Sequence, residues 1–176
     1  TDRCGSTALS ESMAPADTAR LLNSIFEQLT QVVFTHEGTL DKFMGDGMMA
    51  FFGAPFDQPD HAERAVAAAW GMSEALDAIN SELPEERRVG MRIGVNTGTA
   101  IVGDIGSQKR RDYTVVGDTV NVASRLESTV ANPGQIAIGH RTQQRVKKLF
   151  RCEPLDKMQV RGRQKEVTPF LLLGPA

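Results

Sequence analysis

Two aspartates and one Asn/Arg pair are the residues whose types and spacing could do chemistry. Asp2 precedes Gly5-Ser6-Thr7 at the expected end of a strand. Asp46 stands between Gly45 and Gly47 inside an apolar run, "DKFMGDGMMAFFG", residues 41 to 53. Either acid alone suits a turn or a helix cap, since Asp-Gly is a common hairpin turn. Both at the ends of neighbouring strands would make a pair of oxygen donors suited to Mg²⁺, which leaves room for substrate phosphates. Two such ions are a familiar device for in-line attack at phosphorus. Lys42, four residues before Asp46, could pair with it locally or do separate work.

Asn121 and Arg125 lie in "RRDYTVVGDTVNVASRLE", residues 110 to 127. Four residues apart on a helix, they face the same way. An arginine can fork onto phosphate and an asparagine can hold a hydroxyl. The plainer alternative is a surface polar face with Arg125 pairing Glu127 or Asp118. Val120, Val122 and Ala123 predict a mostly buried helix, in which an arginine needs a partner.

The elements that must position these residues follow from periodicity. Leu21, Leu22, Ile25, Phe26, Leu29, Val32 and Val33 share a helical face between Pro15 and His36, with Gly38 as the stop. Thr39–Met44 and Met48–Phe52 predict a hairpin turning at Gly45-Asp46-Gly47, whose glycines permit the tight turn. Pro59 is placed to open a second helix that runs to about Glu82, with His61 in its first turn. Met91, Ile93 and Val95 alternate with Arg92, Gly94 and Asn96, which predicts a strand, a turn at Thr97-Gly98 and a second strand through Val102. A basic loop, a strand over Tyr113–Val116 and a helix from about Asp118 come next. A strand (Gln135–Ile138), a helix (about Arg141–Leu149) and two closing strands to Leu173 complete the chain. Helices alternating with strands that include hairpins indicate an α+β fold with a largely antiparallel sheet.

Composition narrows the functional classes. The 176 residues suit a single domain over 1–176, and 40% hydrophobic content supports a real core. A net charge of −2 gives no push toward nucleic acid or anionic membrane, and the one basic cluster, Lys109 to Arg111, lacks the aromatic interleaving of a nucleic-acid surface. Neither a nucleic-acid partner nor membrane contact by the domain is expected. Two cysteines are too few for a disulfide framework, so a cytoplasmic setting is the expectation. The opening "TDRCGST" reads as the interior of a longer protein, with the first strand truncated.

Taken in order, "TDRCGSTALSE", "KFMGDGMMAFFG", "MRIGVNTGTAIVGDIGS" and "DYTVVGDTVNVASRLE" resemble the catalytic domain of class III nucleotidyl cyclases over nearly the whole chain. Arg3 takes a place that is usually apolar in that family. The resemblance implies a ferredoxin-like (βαββαβ) core sheet flanked by helices, with extra C-terminal strands. It also implies a head-to-tail homodimer with the active sites at its interface. Asp2 and Asp46 match the acids that hold two Mg²⁺ (or Mn²⁺) ions per active site. Asn121 matches the residue that orients the ribose, and Arg125 the one that neutralises charge at the α-phosphate. Lys42 and Thr114 match the base-reading pair of a bacterial type of adenylyl cyclase. Arg92 matches a contact to the terminal phosphates, and Arg161 stands where a lysine normally serves the triphosphate.

The resemblance therefore implies conversion of ATP to 3′,5′-cyclic AMP and pyrophosphate. An ammonium donates only, which suits the N1 acceptor of adenine. Guanine presents an N1–H and a carbonyl instead. A guanylyl cyclase, a catalytically weak nucleotide-sensing or dimerisation domain and a diguanylate cyclase are the competing readings. The last wants a Gly-Gly-acid-Glu-Phe hairpin, which this chain lacks.

Overall fold

The alternation over residues 91 to 95 decides how the layers stack. In the computed structural model, which describes residues 1–4, 13–107, 109–159 and 166–176, these residues form strand β4 (Gly90–Val95). Beside it runs β7 (Ile136–Gly139), in parallel, with Ile93 opposite Ile136. Strand β1 (Asp2–Cys4) lies antiparallel on the other side of β4. Beyond β7 come β9 (Pro169–Pro175) and then β8 (Phe150–Pro154), both antiparallel to their neighbours, giving the order β1-β4-β7-β9-β8.

Period-two alternation sends Met91, Ile93, Ile136 and Ile138 to one face of this sheet. There they meet Ile25, Leu29 and Val33 of helix α1 (Pro15–Thr35) and Val66, Ala69 and Met72 of helix α2 (His61–Ser81). The opposite face carries Arg92, Gly94 and Ala137. Helix α3 (Asp118–Arg125) packs there through Val122, and Leu126 in the following π-helical turn (Leu126–Val130) joins it. A fourth helix, α4 (His140–Val146), buries Val146 in the larger core. This is the α+β, ferredoxin-like arrangement of a largely antiparallel sheet with flanking helices and extra C-terminal strands.

Two hairpins project from the core. One pairs β2 (Thr39–Met44) with β3 (Gly47–Phe51) around the two-residue loop Gly45-Asp46. Gly45 takes the left-handed conformation, φ +61°. Gly47 serves a different purpose: a Cβ there would stand 2.4 Å from the Thr1 carbonyl oxygen. Its bareness lets β3 lie against the start of the chain, where Thr1 N donates to Met48 O (2.9 Å) and Met48 N to Thr1 O (3.1 Å). The other hairpin pairs β5 (Ile101–Ser107) with β6 (Arg110–Val116).

Three local expectations change. The strand after Thr97-Gly98 does not return onto β4, because β1 and β7 already occupy both edges of β4; β5 pairs β6 instead. Arg110 and Arg111 belong to β6 rather than to a loop. The left-handed residue after α1 is Glu37, φ 57°, while Gly38 fits under Phe52, whose ring would stand 2.6 Å from an added Cβ. His61 does open its helix.

Helix α3 can sit on β4 only because residue 94 has no side chain. A Cβ there would meet Ala123 O at 2.2 Å and Glu127 N at 2.6 Å, both backbone atoms that cannot swing aside. Gly94→Ala is therefore expected to destabilise the fold by about 1–3 kcal/mol, as overpacking does. Gly103→Ala on β5, where an added Cβ meets nothing within 4 Å, should stay within about 0.5 kcal/mol. Urea unfolding of the two variants checks the contrast; equal losses would contradict the packing account.

Candidate active site

Strand register places the first acid. Asp2 stands directly opposite Arg92 in the β1–β4 pair, so their side chains share the α3 face of the sheet. Arg92 Nη2 donates to Asp2 Oδ2 at 2.5 Å. Its Nε lies 3.0 Å from Glu127 Oε1, carried on the π-helical turn after α3. π turns inside helices are frequent at functional sites. Here the turn puts a carboxylate at 14% exposure beside a guanidinium at 26%. Burial pushes the Glu127 carboxyl above its usual range. Arg92 pulls it down, and the charges of Asp2 and Asp46 push it up again. Asp46, at the tip of the β2–β3 loop, thus belongs to the same negative corner.

Asp2 and Asp46 are both partly accessible. Among the described residues no group of three or more His, Cys, Asp or Glu side chains forms a ready-made cation cage. That combination fits Mg²⁺ or Mn²⁺. Such ions take one or two protein carboxylates and fill the remaining positions with water and phosphate oxygens.

A second cluster forms further down the same hairpin. Lys42 does not pair with Asp46; its ammonium lies 3.5 Å from Asp41 Oδ1. The cause is an irregularity in β2. Leu40 pairs Ala50 and Lys42 pairs Met49, so Asp41 is the extra residue of a β-bulge. In a regular strand, adjacent residues point to opposite faces, and a bulge re-aims one of them. Asp41 is turned inward, its side chain 1% exposed, while Lys42 stays open at 42%. Asp41 Oδ2 accepts a hydrogen bond of 2.6 Å from Thr114 Oγ1 on β6. The sequence-predicted pair, Lys42 and Thr114, is thereby brought onto one carboxylate. Asp41 itself went unpredicted. Nothing in β2 alone signalled it, because the bulge is a register shift against β3.

Asn121 and Arg125 share the outward face of α3 and are both exposed. Arg125 forms no ion pair with Glu127 or Asp118, since Glu127 is engaged by Arg92. The expected burial of Arg125 is thus wrong: Val122 and Leu126 alone anchor this face of the helix, and one narrow stripe leaves the rest open. Gly117 precedes the helix, and Asn96 Nδ2 donates to the Thr119 carbonyl in its first turn (3.0 Å). Between β3, α2, β4 and α3 opens a cavity of about 450 Å³, lined by Met48, Phe52, Val95, Asn96, Val120 and Glu127 among others. Phe43 and Met44 on β2, and Ile101, Tyr113 and Val116 on the β5–β6 ribbon, stay exposed. Arg161 lies outside the described residues. His140 stacks on Phe170 at 6.0 Å, away from these clusters.

The two arginines should behave oppositely in unfolding experiments. Arg92→Ala leaves two carboxylates facing each other half-buried and should cost about 1–3 kcal/mol. Arg125→Ala removes an exposed side chain that makes no hydrogen bond or ion pair among the described residues and should stay within about 0.5 kcal/mol. A loss at Arg125 equal to that at Arg92 would contradict the assignment of an outward-facing donor.

Comparison with known proteins gives a consistent answer. The family model described as "Adenylate and Guanylate cyclase catalytic domain" matches residues 1–174. "Adenylate cyclase 1" of Rhizobium meliloti (strain 1021) is 36% identical over 181 residues, covering 99% of this chain and 27% of its own length. The chain spans about a quarter of the length of the curated relatives it matches. The crystal structure of the adenylyl cyclase CyaB from P. aeruginosa superposes with a TM-score of 0.90 at 32% identity, covering 98% of this chain and 90% of that one. That of the guanylyl cyclase Cya2 superposes with a TM-score of 0.89 at 37% identity, covering 99% and 89%.

Proposed function

Since the chain belongs to the adenylate and guanylate cyclase catalytic domain family, we propose that it is an adenylyl cyclase working as a homodimer. It converts ATP to 3′,5′-cyclic AMP and pyrophosphate. The observation that carries this reading is the meeting of Lys42 and Thr114 around Asp41. That cluster offers an ammonium donor and a hydroxyl side by side, as the N1 acceptor and exocyclic amine of adenine require.

Asp2 and Asp46 would hold two Mg²⁺ (or Mn²⁺) ions per site. When bound, these ions supply positive charge that acidifies the ribose 3′-hydroxyl and offsets the triphosphate. In the reaction the 3′-oxygen loses its proton and bonds to the α-phosphorus; the bond from that phosphorus to the bridging oxygen breaks, and pyrophosphate leaves. Asn121 orients the ribose for in-line approach, and Arg125 neutralises the charge that develops on the α-phosphate. A well-placed donor of this kind is worth roughly 3–4 kcal/mol. Arg92, fixed between Asp2 and Glu127, and Arg161 serve the terminal phosphates.

Two features support sites shared between two copies. Asn121 and Arg125 point out of the protomer and meet no side-chain partner among the described residues. The same protomer also exposes apolar side chains on β2 and the β5–β6 ribbon. A second copy covers such a surface and brings its own acids to this helix face. No described helix is long and apolar enough to cross a membrane, and an ATP-consuming domain implies a cytoplasmic location.

A guanylyl cyclase is the second reading, favoured by the 37% identity to Cya2. Lys42 argues against it, because an ammonium cannot accept from the N1–H of guanine. The direct assay supplies ATP or GTP with Mg²⁺ or Mn²⁺ and measures the cyclic product. Cyclic AMP should dominate; preferential cyclic GMP formation would establish the second reading. Arg125→Ala should lower kcat about 100- to 1000-fold. Asp46→Ala and Asn121→Ala should each be inactive alone and regain activity when mixed, because one interface site of the mixed dimer is then intact. Heterodimers without activity would refute the shared site.

A further inference from the structure

Thr114 carries a hydroxyl, which can donate to a carbonyl or accept from an amine, so its type alone does not choose between adenine and guanine. Its surroundings do. A carboxylate only accepts, so the 2.6 Å contact between Thr114 Oγ1 and Asp41 Oδ2 commits the hydroxyl proton to Asp41. The backbone N–H of Val115 points at the same oxygen from 3.5 Å. Asp41 is itself fixed, because the bulge in β2 turns it into the protein, where its side chain is 1% exposed. Thr114 is 6% exposed and held within the β5–β6 hairpin, so neither partner has room to turn away.

We infer that Asp41 is a specificity-determining positioning residue, which forces Thr114 to present lone pairs to the base and so selects a 6-amino purine over a 6-oxo purine. The inference rests on the reading of Lys42 and Thr114 as the base-contacting pair. Its content is the polarity of that pair. With the proton spent on Asp41, Thr114 accepts from the exocyclic amine of adenine. A 6-carbonyl would meet lone pairs instead. The second carboxylate oxygen, Asp41 Oδ1, has no hydrogen bond among the described residues. It does have the Lys42 ammonium at 3.5 Å, which orients that donor toward the neighbouring N1 position. One buried acid thus sets the direction of both contacts, a donor at position 1 and an acceptor at position 6. A site built this way rejects the wrong base by leaving polar groups unmatched, which discriminates more strongly than shape alone.

The test compares kcat/KM for ATP and for inosine triphosphate in the full chain. Inosine differs from adenosine at positions 1 and 6 and lacks the 2-amino group of guanosine. Asp41→Asn can offer an amide N–H to Thr114 and release the hydroxyl proton toward the base. The ATP-to-ITP ratio should fall at least about tenfold, chiefly by a rise for ITP relative to ATP. Thr114→Val keeps Asp41 in place and serves if Asp41→Asn fails to fold. It should lower kcat/KM for ATP and leave that for ITP no worse. A ratio within about twofold of the wild type in a folded Asp41→Asn enzyme overturns the inference, as does an equal loss for both nucleotides in Thr114→Val. Wild-type protein that cyclises neither nucleotide overturns the cyclase reading, and this inference with it. ATP turnover with an unmoved ratio overturns this inference alone.

Discussion

Like charges resist being gathered, and the active corner of this domain gathers three. Asp2, Asp46 and Glu127 come from three separate elements and converge near the start of β4. Arg92 makes that convergence tolerable. It lies opposite Asp2 in the sheet and reaches Glu127 at the foot of α3, so one guanidinium ties β1, β4 and the π-helical turn together. The rest of the site inherits its position from this tie. Helix α3 is pressed against β4 at Gly94, which fixes the outward face bearing Asn121 and Arg125. The β2–β3 hairpin is stitched to the same corner through Thr1 and Met48, which fixes Asp46.

The hairpin then divides its labour along its length. Asp46 sits at the tip, beside the acids. Lys42 sits back along β2, beside Asp41, which the bulge turns inward to Thr114. The separation is on the order of 10 Å at the rise of an extended strand. In the proposed dimer the tip serves one nucleotide and the strand serves the other. Asn121 and Arg125, open to solvent in a single protomer, follow the same logic in that proposal: a helix face whose two polar side chains make no hydrogen bond or ion pair among the described residues would be available to a partner's substrate.

Much of this was legible in the sequence because it rests on local rules. The alternation from Met91 to Asn96 foretold both faces of β4, and the apolar stripe from Leu21 to Val33 foretold α1. Asp46 was visible as an anomaly in apolar surroundings, and Asp2 by its place at a strand end before Gly5-Ser6-Thr7. What stayed hidden depends on pairing between distant segments. Nothing in the run from Thr97 to Val102 states that β5 will seek β6, since that choice is made by β1 and β7 filling the edges of β4. The bulge at Asp41 is likewise a register shift against β3, invisible in β2 alone. Glu127 could be read only as a neighbour of Arg125 on a regular helix; the π turn gives it to Arg92 instead. Arg125 was expected to be buried because three apolar neighbours suggested a buried helix, yet the helix buries only the stripe of Val122 and Leu126.

The central claim is that one protomer holds parts of two sites and completes neither. The most direct measurement is specific activity against protein concentration, taken beside the monomer–dimer distribution from sedimentation at the same concentrations. Activity per chain should fall on dilution in proportion to the dimer fraction, and the monomer should be inactive. Specific activity that stays constant while the protein dissociates into monomers would show that a single chain builds a whole site, and would contradict the account.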